Sequence, residues 1–123
     1  MIFDIFKGNV IIADKALYKK NVLFKVKGLM FSKPLKSGEA IILEAKEEGI
    51  IETTLHMLFV FYPIDILWLN KKLEIVDIKR KVLPFKPWIV PKSPAKFVVE
   101  MKSGAAKTLK IGDVLKFKPS SSF

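Results

Sequence analysis

The feature that most constrains the fold of this 123-residue chain is the run from Leu55 to Asn70, LHMLFVFYPIDILWLN. It is almost wholly apolar, so most of it must be buried. It falls short of the roughly 20 residues that a membrane-spanning helix needs, and His56, Pro63 and Asp65 interrupt it. From Thr53 to Phe61 the residues are β-branched and aromatic, which favours strand over helix. Pro63 breaks that strand, and Ile64 to Leu69 resumes as another. The run also holds the only histidine, His56, and a carboxylate, Asp65. Ionisable groups in such a segment need partners, because burying them unpaired is costly.

The rest of the chain reads as short strands joined by turn residues. Ile2 to Phe6 and Val10 to Ala13 are strands around a Gly8-Asn9 hairpin turn. Asn21 can cap a helix from Val22 to about Met30, whose apolar stripe holds Val22, Val26 and Leu29. Ser37-Gly38 turns into a strand from Ala40 to Glu44, and Asn70-Lys71-Lys72 turns into another from Leu73 to Val82. Phe97 to Met101 is a strand, Ala105 to Leu109 a short helix, and Val114 to Phe117 a last strand. The pattern predicts a mainly β protein: a small single-domain β-barrel or β-sandwich with one or two short helices. The domain is expected over residues 1–118, with 119–123 a flexible tail.

Composition excludes much chemistry. With no cysteine there is no thiol nucleophile, thiolate zinc site, disulfide or iron–sulfur ligation. A single histidine rules out a two-histidine metal site within one chain, and Glu44, Glu47, Glu48 and Glu52 lack the regular alternation of a calcium loop. No metal or organic cofactor is expected. The opening MIFDIFKGNV has no basic region before its apolar residues, so a cytoplasmic protein without a transmembrane segment is expected. Abundant lysine and absent glutamine lean toward a thermophilic source.

Charge is the strongest functional signal. Residues 1–70 hold nine lysines against eight acids, while residues 71–123 hold thirteen Lys and Arg against four acids. Lys79, Arg80 and Lys81, followed by Phe85, Lys86, Trp88 and Lys92, interleave cations with aromatics, a pattern that can track phosphates while bases stack. Four prolines within residues 84–94 would hold this segment extended and reduce the entropy lost on binding. Because Arg80 is the lone arginine, an anionic partner such as nucleic acid would be bound without sequence specificity. The structural alternative is that prolines and lysines here protect a sheet edge from aggregation. His56 and Asp65 are the candidates for a general acid/base pair, should the fold bring them together. Against that, a carboxylate just after Pro63 commonly accepts backbone N–H groups.

Four ordered segments carry a resemblance. They are Gly28-Leu29-Met30-Phe31 with Pro34-Leu35; Gly38 to Leu43; Leu55-His56 continuing to Tyr62-Pro63-Ile64-Asp65-Ile66; and Val98-Val99-Glu100 followed by Gly104-Ala105-Ala106 and Gly112-Asp113. Together they resemble the family called domain of unknown function 192, over roughly residues 9 to 117. The resemblance implies a compact, mainly β domain and no established reaction, substrate or cofactor. The chain departs from the family pattern at Ser32, Met57, Val60, Phe61 and Asn70, where several polar positions are apolar. The reading favoured here is a non-catalytic binding module with its contact surface on Lys79 to Lys96. The alternatives are a hydrolase-like or isomerase-like enzyme using His56 and Asp65, and a protein-interaction domain with a pairing edge strand.

Overall fold

The computed structural model describes residues 1–20, 33–55, 61–84 and 88–120. The strands are β1 (Ile2–Lys7), β2 (Val10–Lys19), β3 (Glu39–Gly49), β4 (Ile64–Leu69), β5 (Ile75–Val82), β6 (Ala95–Lys102) and β7 (Lys116–Pro119). They form one curled sheet in the order β5-β4-β6-β3-β2-β1-β7, a half-barrel. The protein is mainly β, as the short apolar runs predict. All neighbours are antiparallel except β2 and β3, which pair in parallel from Lys15↔Glu39 to Lys19↔Leu43. The edges meet at one end, where Ile75 N–H donates to Asp113 O at 2.8 Å and Leu115 N–H to Leu73 O at 2.9 Å. That contact blunts two edges that would otherwise expose free ladder groups.

Glycine is required at the entry to β3. Gly38 sits at φ 86°, and a Cβ there would lie 2.6 Å from Asp14 Oδ1. Its carbonyl accepts both Asp14 N–H and Lys15 N–H, tying the turn to β2 where the parallel pairing begins.

Both faces of the central strands are covered, so β4 is buried at every residue. The inner face packs Ile5, Ala16, Ile42, Leu67, Leu69 and Val99, with Ala106, Leu109 and Leu115 closing the curl. The outer face packs Ile41, Leu43, Ile64, Ile66, Trp68 and Val98 beneath Leu55 and Ile89. Leu55 and Ile89 exchange backbone hydrogen bonds at 3.0 and 2.8 Å, forming a small second layer across the sheet.

Three expectations need correction. Of the strand expected over Thr53 to Phe61, Thr53 closes a 3-10 turn, Ile51–Thr53, Leu55 makes a lone antiparallel bridge with Ile89, and residues 56–60 lie outside the described residues. Thr53 Oγ1 donates back to Gly49 O at 2.7 Å, a local bond that competes with strand pairing. Its carbonyl also receives Trp68 Nε1–H at 2.8 Å. The helix expected over Ala105 to Leu109 is a chain of turns, with Lys107 N–H bonded to Gly104 O and Leu109 N–H to Ala106 O. Asp65 takes the N–H groups of Gly104 and Ala106, and so redirects this backbone. The last strand is Lys116–Pro119 rather than Val114 to Phe117, and Ser120 N–H still donates to Ile2 O at 2.9 Å. The helix expected at Val22 to Met30 lies outside the described residues.

Candidate functional site

The basic segment begins on β5, whose register against β4 shifts between Ile64↔Val82 and Ile66↔Lys79. Arg80 and Lys81 therefore both oppose Asp65, a β-bulge that bends the strand and re-aims its side chains. Lys81 adopts φ 50°, uncommon for a residue with a Cβ. Asp65 holds the bulge: fully buried, it accepts Lys81 N–H at 2.8 Å on one oxygen and Gly104 N–H and Ala106 N–H, both at 2.9 Å, on the other.

Two of the three cations have internal partners. The Arg80 guanidinium donates to Ala106 O at 3.2 Å and to Leu109 O at 2.5 Å. Lys79 Nζ lies 3.3 Å from Asp77 Oδ2 and 5.6 Å from the centroid of the Trp68 ring. Asp77 is itself fully buried, and the same oxygen accepts Lys92 N–H at 3.0 Å. A carboxylate on β5 thus pins the proline-rich segment to the sheet. Lys81 is left exposed at the bulge.

Between β5 and the proline-rich segment lies an open cleft of about 740 Å³, lined by Lys79 to Leu83 and Trp88 to Val90. Its rim is apolar as well as basic: Leu83 is 62% exposed, Trp88 61% and Val90 48%. The cleft therefore offers a cation beside a large aromatic surface. Of the residues expected from sequence, Lys79, Arg80, Lys81 and Trp88 meet in this cleft. Lys92 is exposed beyond it, held through its backbone to Asp77, and Phe85 and Lys86 lie outside the described residues.

Asp65 has no oxygen free of backbone partners for an acid/base role, and His56 lies outside the described residues. Among the described residues, no group of three or more His, Asp or Glu is placed to hold a metal ion. No helix among them is long and apolar enough to cross a membrane.

Sequence reasoning passed over Glu100. It stands on the interior strand β6 between Ile41 of β3 and Ile66 of β4, on the outer face, with 3% of its surface exposed. Its Oε1 is buried without a hydrogen-bond partner. Burial raises its pKa from 4.5 to about 8, a rise that the positive charge of Lys19 only partly opposes. Tyr62 is close enough for Glu100 to add to the upward shift that burial gives its phenol. The signal was present in the run Phe97-Val98-Val99-Glu100-Met101, a carboxylate within an apolar strand, which is the argument that singled out Asp65.

The fold and cleft define a small, mainly β protein with a curled seven-stranded sheet and one basic, aromatic-rimmed groove. The family model DUF192, described as Uncharacterized ACR, matches residues 16–117, and the chain belongs to that family. It is 35% identical over 104 residues to a UPF0127 protein of Pyrococcus furiosus, covering 81% of this chain and 84% of that one. A UPF0127 protein of Pyrococcus abyssi is 33% identical, with 85% and 80% covered. Among solved structures, a protein of unknown function from Novosphingobium aromaticivorans superposes with TM-score 0.81 at 19% identity, covering 94% of this chain and 84% of that one. At that identity the likeness establishes a shared fold.

Proposed function

We propose that this protein is a non-catalytic binding module, a single mainly β domain. Its ligand is anionic and carries flat apolar groups, as single-stranded nucleic acid does. The observation that carries the reading is the cleft itself, where Lys81, freed from internal pairing at a bulge, stands beside the exposed Trp88. A phosphate beside Lys81 and a base on Trp88 would use the two features together, with stacking contributing about 1–3 kcal/mol per base. Lys79 and Arg80 set the shape of the cleft more than its free charge, because carboxylate and carbonyl oxygens already face them. Few phosphates are then neutralised, and salt dependence should be moderate. About three contacts on a single strand predict a loss of roughly tenfold to twentyfold in affinity between about 50 and about 200 mM salt.

The test is fluorescence anisotropy with a labelled mixed-sequence single-stranded oligonucleotide at those two salt concentrations. Binding that weakens by that factor, and falls in both Lys81→Gln and Trp88→Ala, is the expected result. Absent binding at low salt, or affinity unchanged in both variants, would refute the proposal.

A further inference from the structure

Asp65 joins two stretches of backbone that lie far apart in the chain. One of its oxygens takes Lys81 N–H at the β5 bulge, at 2.8 Å. The other takes Gly104 N–H and Ala106 N–H, both at 2.9 Å, in the turn that follows β6. The Arg80 guanidinium fastens the same turn through Ala106 O and Leu109 O. Bulge and turn are therefore held side by side at one end of the sheet, and the cations they carry share one surface. No single stretch of sequence displays that surface.

To Lys81 this end of the sheet adds Lys102 and Lys107, both exposed. Lys102 opposes Ile64 of β4, and Ile64 in turn opposes Val82, a residue of the cleft wall. Lys102 thus stands two strands from that wall, about 10 Å away at ladder spacing. Lys107 follows Ala106, whose N–H and carbonyl are both held beside the bulge. Between them Gly104 is exposed at φ 95°, with open space where a Cβ would stand, so no side chain obstructs the turn there. The nearby acids are already engaged. Asp65 is enclosed by three N–H groups. Asp113 holds Lys7 at 3.0 Å and Lys110 N–H at 2.9 Å, and the charge of Lys110 also acts on it. Glu39, beside Lys102 on β3, accepts Lys36 N–H at 2.7 Å. Among the described residues Lys81, Lys102 and Lys107 form no ion pair. Uncompensated cations spaced along one exposed surface favour a partner with spaced negative charges.

We propose that the binding surface continues out of the cleft onto the turn after β6, where Lys102 and Lys107 take the phosphates that neighbour the one at Lys81. The inference rests on the reading of the cleft as a site for single-stranded nucleic acid, and it gives that ligand an extent. A single nucleotide cannot meet Trp88, Lys81 and the turn together; a strand of several nucleotides can. The three phosphate contacts behind the expected salt dependence are then Lys81, Lys102 and Lys107, while Lys79 and Arg80 keep their partners inside the molecule. On a single strand each contact contributes a slope of about 0.7. Three contacts cost roughly eighteenfold in affinity between about 50 and about 200 mM salt, and one contact costs only about threefold.

The test is the anisotropy titration of a labelled mixed-sequence single-stranded octamer at those two salt concentrations, with two double variants of the full chain. In Lys102→Gln/Lys107→Gln the loss of affinity with salt should shrink from roughly eighteenfold to about threefold, with binding at low salt weakened and Tm unchanged. Lys71→Gln/Lys72→Gln removes the same charge from the exposed turn between β4 and β5, at the other end of the sheet, and should leave the salt loss as it is in the parent. A salt loss that stays at the parent value in the first variant would overturn the inference. If Lys81→Gln and Trp88→Ala still weaken binding in that case, the cleft reading survives without it. An equal drop in both double variants would also overturn it, by showing an effect of net charge alone. No binding of the octamer at low salt would remove the cleft reading and this inference together.

Discussion

Replacing Glu100 with glutamine isolates one buried charge and should change how stability depends on pH. A carboxyl whose pKa is raised in the folded state holds its proton more tightly folded than unfolded. Stability then falls as pH rises from about 4.5 to about 8, and levels off above. At about 1.4 kcal/mol for each tenfold change in proton affinity, the full effect is about 5 kcal/mol, of which about 3 kcal/mol is already lost at pH 7. Glutamine keeps the shape and has no proton to lose, so the variant should lack this component. For a domain of this size, 3 kcal/mol is roughly 10 °C in Tm.

The assay is thermal unfolding followed by circular dichroism at pH 5, 6, 7, 8 and 9, with the variant's Tm subtracted from that of the parent at each pH. Subtraction removes every group that titrates alike in both proteins. The parent should lose ground steadily between pH 5 and pH 8, until glutamine is the more stable by several degrees. A difference that stays constant across the series would refute the reasoning. It would mean that a partner already compensates the Glu100 charge, and that its carboxyl ionises at an ordinary pH.

Three further substitutions test the surrounding framework. Arg80→Gln removes the cation that holds Ala106 O and Leu109 O, and should destabilise by about 1–3 kcal/mol in urea unfolding. Asp65→Asn replaces an acceptor of three backbone N–H bonds with a group that is itself partly a donor. The expected loss is on the order of 3 kcal/mol, read as a lower urea midpoint. Asp113 ionises below its ordinary 3.8, chiefly because Lys110 N–H and then the Lys7 ammonium donate to it. Its contribution is therefore complete above that value and lost as pH falls through the depressed one. Asp113→Asn should lower Tm at pH 6, and its gap to the parent should narrow as pH falls below 3.8, as circular dichroism melts would show.

Much of the fold was legible in the chain because it depends on local pattern. Ile64 to Leu69 is the strand the sequence predicts, and Gly8-Asn9 and Ser37-Gly38 turn where turn chemistry demands. Pairing was not legible, because β2 joins β3 in parallel and β3 joins β6 across some fifty residues, contacts that no window of sequence contains. The bulge at Arg80 and Lys81 was hidden for the same reason. It depends on a carboxylate of β4 and on turn carbonyls more than twenty residues away. The charge cluster was easy to see, but not that Lys79 and Arg80 already had partners inside the molecule. Sequence counts cations; only the fold decides which of them remain available.

The buried carboxylates of the sheet fall into two kinds, those whose oxygens hold backbone N–H groups and one with an oxygen left unpaired. Asp65 and Asp77 are fully buried, and their oxygens accept backbone N–H groups that the sheet alone would leave unpaired: Lys81, Gly104 and Ala106 in one case, Ile78 and Lys92 in the other. Each joins a loop to a strand, and an apolar side chain in its place would strand those donors. Asp4, which also has an oxygen without a partner, stands on β1 and is only half-buried. Glu100 differs from all three. Among the described residues it joins no loop; it lies on the interior strand β6 among Ile41, Ile66 and Val98, and leaves Oε1 unfilled. The fold would hold together as well or better with a hydrocarbon there. Among the described residues nothing pairs with that oxygen, so ionising Glu100 leaves a buried charge whose cost the comparison with glutamine isolates.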